Sequence, residues 1–356
     1  MTPAQRVPPP ESAETLSSMA AQTGGTFTPI EEASRVTYAL PEVATDEVRV
    51  YLRTRCAGNL SAVGAARLPE ARVFGAGAVL SGDGRTLARD VSCDFGGSEA
   101  RHWLMDYTQL RPPMVLNGPV AVAAVNLGEG YCHWLLEELP RLLGVPVGEA
   151  EHLIVHTGPT YAKAALARRG GKEGLVEPRR SSHFACAPLL VPAMIGRPGW
   201  PTPGALARVE AFTDGLGREE AGRGERLYFS RSRAGRRRVG NEEELWAELA
   251  PRGFTRLWLE ELSWAEQIAA CRQARVVVAA HGAGLANLVF CATGTRVVEL
   301  VNRAYFNPIF WRLAALRGLD YRPVVRAGEE PLGEERKTNR CDIMADLSGV
   351  RRALSD

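Results

Sequence analysis

Residues 275–280 read Arg-Val-Val-Val-Ala-Ala and run straight into the turn His281-Gly282-Ala283-Gly284-Leu285-Ala286-Asn287. An apolar run without polar alternation is a strand covered on both faces, the condition of a parallel sheet. Segments of the same kind flank it. Strands are predicted over 226–230, 254–259, 296–301 and 320–325, and helices over 242–251, 264–273, 284–291 and 310–317. Two helices carry start signals: Asn241 with Glu244 three residues on, and Ser263 with Glu266, a capping box. The β-α alternation makes 216–325 a doubly wound, Rossmann-like domain.

A less regular version lies upstream. Residues 119–127 are nearly all apolar and are broken by Glu129-Gly130. A helix is predicted over 131–143, with a kink or an early end at Pro140, whose ring removes a helix donor. A strand over 152–156, a helix over 161–169 and a strand over 188–191 follow. A second Rossmann-like part is therefore expected over 115–195. Before it, 47–53, 71–80 and 92–95 look β-like around the turn Ser81-Gly82-Asp83-Gly84, which predicts a small antiparallel module. Residues 1–36 read as a flexible arm and 215–225 as a linker; 326–356 reads as a charged tail on the surface. The expected whole is α/β, with an acceptor-side domain over 37–215 and a nucleotide-binding domain over 216–325.

A chain of 356 residues has room for two cores. Its 43 basic and 41 acidic residues leave a net charge of +2, which argues against nucleic acid as a partner. The seven cysteines form no C-x-x-C, so buried reduced thiols are expected rather than a disulfide frame or a zinc site. No apolar run is long enough to span a bilayer, and the first residues lack the apolar stretch of a secretion signal. A cytoplasmic protein is expected.

Three constellations can carry chemistry. The turn after 275–280 offers glycines that let a ligand approach the backbone, and a helix start whose amides and dipole suit a pyrophosphate. A tight turn chosen for packing is the plain alternative. Glu299, amid apolar strand residues, needs a partner; ribose hydroxyls or a buried arginine would serve. Residues 223–238 hold seven arginines and one glutamate in 16 residues. Arginine's planar fork matches phosphate, so Arg231 with Arg236, Arg237 or Arg238 is a diphosphate clamp in prospect. Finally, His133 and Glu137 lie four apart on one helix face. A helix start disfavours an imidazolium, which predicts a neutral His133 able to act as a general base, with Glu137 as its orienter or substitute. His102, His152, His156 and His183 read as structural. There is no D-x-D triplet, P-loop or metal-ligand cluster.

Taken in order, Tyr131 to Arg141, Phe229-Ser230-Arg231 with Arg238 to Glu242, Leu262-Ser263 with Glu266-Gln267, the turn His281 to Asn287, and Val298-Glu299-Leu300 resemble glycosyltransferase family 61. The likeness covers roughly 120–320. It implies a GT-B fold, two Rossmann-like domains facing across a cleft. It also implies inverting transfer from a nucleotide sugar, usually a UDP-sugar, to a hydroxyl of a glycan or other acceptor, without an obligatory metal or other cofactor. Cell-surface polysaccharide synthesis in a bacterium, with peripheral contact to a membrane-bound acceptor, fits that resemblance. On these residues, Arg231, Arg238, His281, Gly282, Ala283, Gly284, Asn287 and Glu299 would hold the donor, and the His133 helix would face the acceptor. The extra arginines of 233–238 depart from the pattern and leave the second phosphate ligand open. An NAD(P)-dependent oxidoreductase would use a similar turn, but Asn287 replaces its third glycine. A non-catalytic nucleotide-sugar or polysaccharide binder is the other alternative.

Overall fold

A computed structural model describes residues 6–92, 102–194, 197–220, 222–326 and 341–355. The chain folds as α/β and divides into two units, Met1–Arg35 with Asn59–Ala211, and Val36–Gly58 with Phe212–Asp356.

The first unit is built on four parallel strands, β1 (Val120–Val122), β2 (His152–Ile154), β3 (Gly174–Val176) and β4 (Leu189–Ala193). Their order across the sheet is β3-β2-β1-β4. Val63–Leu68 extends it antiparallel to β4, and Thr26–Glu31 extends it again. A second sheet contains Ala71–Phe74, Ala78–Ser81 and Thr86–Ala88 as an antiparallel meander, the module expected from the Ser81-Gly82 turn. The expected strand at 92–95 reaches beyond the described residues.

The N-terminal residues are not all a loose arm. Ser12–Glu14 pairs with Thr86–Ala88, and Leu16–Gln22 is a helix capped by Thr15 that buries Leu16, Met19 and Ala20 in the core. Their i, i+3, i+4 spacing gives one apolar face, enough to dock a short helix.

The second unit is a five-stranded parallel sheet, β5 (Arg226–Phe229), β6 (Thr255–Leu257), β7 (Val276–Ala280), β8 (Arg296–Val301) and β9 (Asp320–Val325). Its order is β6-β5-β7-β8-β9. The capping box at Ser263 and Glu266 opens the helix Trp264–Gln273 as expected. Two expectations need correction. Residues 46–53 form a helix, Asp46–Arg53, not a strand. Thr45 caps it, Asp46 and Glu47 face its positive end, and Val48, Tyr51 and Leu52 share the buried face. The charged tail does not simply cross the surface. Ile343 bonds back to Arg238 and Gly240, and the helix Leu347–Leu354 buries Val350 and Ala353 in the unit's core.

Candidate functional site

In an open parallel sheet, loops leave the carboxyl ends of neighbouring strands in opposite directions where the strand order reverses, and the crevice so formed is where ligands bind. In the second unit that point lies between β5 and β7. A cleft opens there, walled by Ser230, Arg231, Leu259, Glu260, Gly282 and Gly284. The turn and the arginine segment, 50 residues apart in sequence, thus meet as the strand pattern requires.

Arg231 is the central group. Its Nε and Nη2 donate to the carbonyls of Arg237 and Arg236, at 3.2 and 3.0 Å. Among the described residues no carboxylate forms an ion pair with it. Burial, then the charges of Arg237 and Arg236, lower its pKa to about 10, with Glu260 opposing. It is a cation held where a cation is disfavoured. The strand end that carries it is fixed by Ser230, whose hydroxyl donates to Glu242 at 2.5 Å, while Arg256 reaches the same oxygen at 2.6 Å. Gly282 is extended, at φ 176°, a conformation open to any residue. What forbids a side chain there is Arg231: a Cβ would lie 2.7 Å from its Cζ. A Cβ on Gly284 would meet Leu259 Cδ1 at 2.6 Å. The helix after the turn, Ala283–Phe290, winds more tightly than the α-helix expected over 284–291. Its first N–H groups, at Ala283 and Gly284, have no partner within the helix.

The remaining turn residues lie behind this wall. His281 is 3% exposed and Glu299 fully buried; Nδ1 of the first and Oε1 of the second are 2.5 Å apart. The other Glu299 oxygen accepts from the hydroxyl of Tyr321. Glu299 therefore has two buried protein partners, a histidine and a tyrosine. Burial and Glu299 push the Tyr321 phenol well above its ordinary value, so it is a permanent donor. The His281 ring stands between Tyr305 and Phe310, at 5.3 and 5.2 Å. Asn287, fully buried, donates to Gln267, which donates in turn to the carbonyls of Leu259 and Leu262. Arg238 faces Asp342 at 3.1 Å, Arg237 packs over Tyr305, and Arg233 pairs with Glu261 beside Trp258.

In the first unit the strand order reverses between β1 and β4, and His133 and Glu137 stand beside that point. They lie on a continuous helix, Tyr131–His133, Trp134–Glu138 and Leu139–Leu143. It neither ends nor breaks at Pro140. The five residues before Leu139 form a wider π-turn, in which the Leu139 N–H bonds Trp134, and the proline falls where its missing donor is harmless. His133 Nδ1 is 3.3 Å from Glu137 Oε2, and the other Glu137 oxygen accepts from the Gly199 amide, at 2.9 Å, on the loop after β4. The neutral imidazole expected from the helix dipole is corrected by this carboxylate. Burial lowers the His133 pKa, but the charge and hydrogen bond of Glu137 raise it more, and the net shift is upward.

Sequence reasoning missed a second pair. Glu138, next to Glu137, is fully buried, and its Oε2 lies 2.7 Å from Nδ1 of His156, two residues past β2. Glu138 also accepts from the amides of Val125 and His156. A glutamate among leucines on a buried helix was the available signal, since such a carboxylate requires a partner. Among the described residues no group of three or more ligating side chains is arranged for a metal ion, and no helix is long and apolar enough to cross a membrane.

Comparison with known proteins matches residues 131–298 to the family model described as Glycosyltransferase 61. Over 89 residues the chain is 35% identical to the beta-1,2-xylosyltransferase RCN11 of rice, Oryza sativa subsp. japonica. That match spans 25% of this chain and only 15% of the rice protein.

Proposed function

We propose, from the match of residues 131–298 to the glycosyltransferase 61 family model, that the chain transfers a sugar, with inversion, from a nucleotide-sugar donor to a hydroxyl of a glycan or other acceptor. A UDP-sugar is the donor of choice, no metal is obligatory, and the two units are the acceptor and donor halves of a GT-B fold. The observation that carries this reading is Arg231. A guanidinium disfavoured by burial and by two neighbouring arginines, lining a cleft at the strand-order reversal, gains most from a bound anion.

In-line displacement needs positive charge for the departing diphosphate and a base for the attacking hydroxyl. Arg231 and the first amides of the turn supply the charge where it develops. His281, Glu299 and Asn287 hold that turn from behind. His133 takes the proton: with Nδ1 on Glu137, Nε2 is the nitrogen assigned to the acceptor. Glu137 makes it a stronger base by stabilising its protonated form. Arg238 is the less favoured second phosphate ligand, since Asp342 already engages it.

The test is a thermal-shift series with UDP, GDP, CMP, TDP and NADH, followed by an assay of nucleoside diphosphate release. Selective stabilisation by one nucleoside diphosphate, abolished in Arg231→Ala, is expected. Loss of one charge-assisted contact corresponds to about 1.5–3 kcal/mol, or roughly 10- to 100-fold in affinity. Stabilisation by NADH alone would instead identify an oxidoreductase, and binding without diphosphate release would identify a non-catalytic binder.

A further inference from the structure

The transfer chemistry above leaves His156 unused. The residue is 2% exposed, and its Nε2 is buried and makes no hydrogen bond to the described residues. The nearest charged atom facing it is Glu129 Oε2, at 3.5 Å, on a side chain that is 72% exposed. Glu129 thus reaches from solvent over a buried, unsatisfied ring nitrogen. Its own carbonyl accepts from the Tyr161 hydroxyl at 2.7 Å. The Tyr161 ring meets Tyr131 and Trp134 at 5.0 and 4.7 Å, and both tyrosines keep part of their surface exposed. Gly128 makes the loop's passage possible: a Cβ there would overlap Glu138 and lie 2.6 Å from His156 Nδ1.

These groups match one ligand chemistry. A pyranoside presents apolar C–H faces and hydroxyls that both donate and accept. Half-buried tyrosine rings suit the faces. A carboxylate and a ring nitrogen suit neighbouring hydroxyls. A phosphate is excluded by the carboxylates of Glu129, Glu138 and Glu177 that surround His156. An ammonium ligand would compete with His156 for the same carboxylates: burial lowers the His156 pKa, but Glu138, Glu177 and Glu129 raise it more, favouring its protonated form. We propose that Glu129 and His156, flanked by Tyr131 and Tyr161, form a saccharide-binding subsite in which sugar hydroxyls donate to the Glu129 carboxylate and bond the His156 ring nitrogen beside it. Only the purpose of the subsite rests on the transferase reading: under it the bound sugar belongs to the acceptor, held two residues along the helix from His133.

The experiment is saturation-transfer NMR on the full chain with methyl β-xylopyranoside, methyl β-glucopyranoside and methyl β-galactopyranoside. The variants Glu129→Gln and His156→Gln run in parallel. At least one glycoside is expected to bind, about tenfold more weakly in Glu129→Gln, with the nucleotide thermal shift unchanged. Because His156→Gln disturbs a buried pair, the exposed Glu129 is the decisive position. Binding of no glycoside, or equal binding in Glu129→Gln, overturns the subsite. Failure of every nucleotide to stabilise the chain overturns the transferase reading and leaves the subsite standing.

Discussion

Gly282 and Gly128 both forbid a side chain, and the consequences of adding one differ. At Gly282 the obstacle is the far end of Arg231, which can swing away. Gly282→Ala is expected to leave the melting temperature nearly unchanged while weakening nucleoside diphosphate binding about tenfold, because the guanidinium loses its seat beside the turn. Calorimetric titration beside a melting curve checks both halves. At Gly128 the obstacles are Glu138 and His156, both buried and bonded to each other. Neither can yield without leaving a charge unpaired, so Gly128→Ala is expected to cost about 3 kcal/mol of stability. A denaturant midpoint equal to that of the parent would refute this. The turn's glycines were legible in the sequence; their reason was not, since a motif does not disclose that a side chain 51 positions away, Arg231, fills the space.

At the scale of the element, the helix through 131–143 holds consecutive glutamates, Glu137 and Glu138, each paired with a histidine. The wide π-turn lets both carboxylates be buried rather than sending one to solvent. His133–Glu137 could be read from sequence because a four-residue interval on one helix is a local relation. Glu138–His156 could not, because it joins two elements 18 residues apart. The helix Asp46–Arg53 shows the opposite case: its end signals are those of a helix, but its alternating valines look like a strand. Both histidines have pKa values above the ordinary 6.5. Their pairs therefore contribute stability that is fully present below the unfolded value and is lost as pH rises through the raised folded values. Melting temperature is expected to fall as pH is taken from about 6 to about 9, and His156→Gln should flatten part of that slope. In the transfer assay the acid limb of kcat/KM reports His133. Removing the charge in Glu137→Gln should move that limb to lower pH and reduce the maximal rate; a limb that stays in place would mean that His133 is not the titrating base.

For the molecule as a whole, the second unit is not one continuous stretch of chain. Residues 36–58 leave the first unit's sequence and pack on the second. Trp311, 1% exposed, donates to the Ala39 carbonyl at 3.0 Å and packs against Tyr38. Tyr51 stacks on Phe306 and donates to its carbonyl, Arg303 pairs with Glu47 at 2.8 Å, and Arg312 donates to the Arg55 carbonyl at 3.1 Å. This strap grips residues 303–306, and Tyr305 within them touches both His281 and Arg237. No local pattern could reveal it, because each contact spans some 250 residues and pairs ordinary side chains. Uncovering rings of this size costs about 1.5–3 kcal/mol each, against a typical total stability of about 5–15 kcal/mol. Residues 212–356 produced alone are therefore expected to melt well below the full chain and to bind nucleoside diphosphate weakly. A peptide of residues 36–58 added in trans should raise both the melting temperature and the affinity, whereas Tyr51→Ala in that peptide should do so less. If 212–356 alone matched the full chain in both measurements, the strap would be a surface appendage with no part in holding the turn.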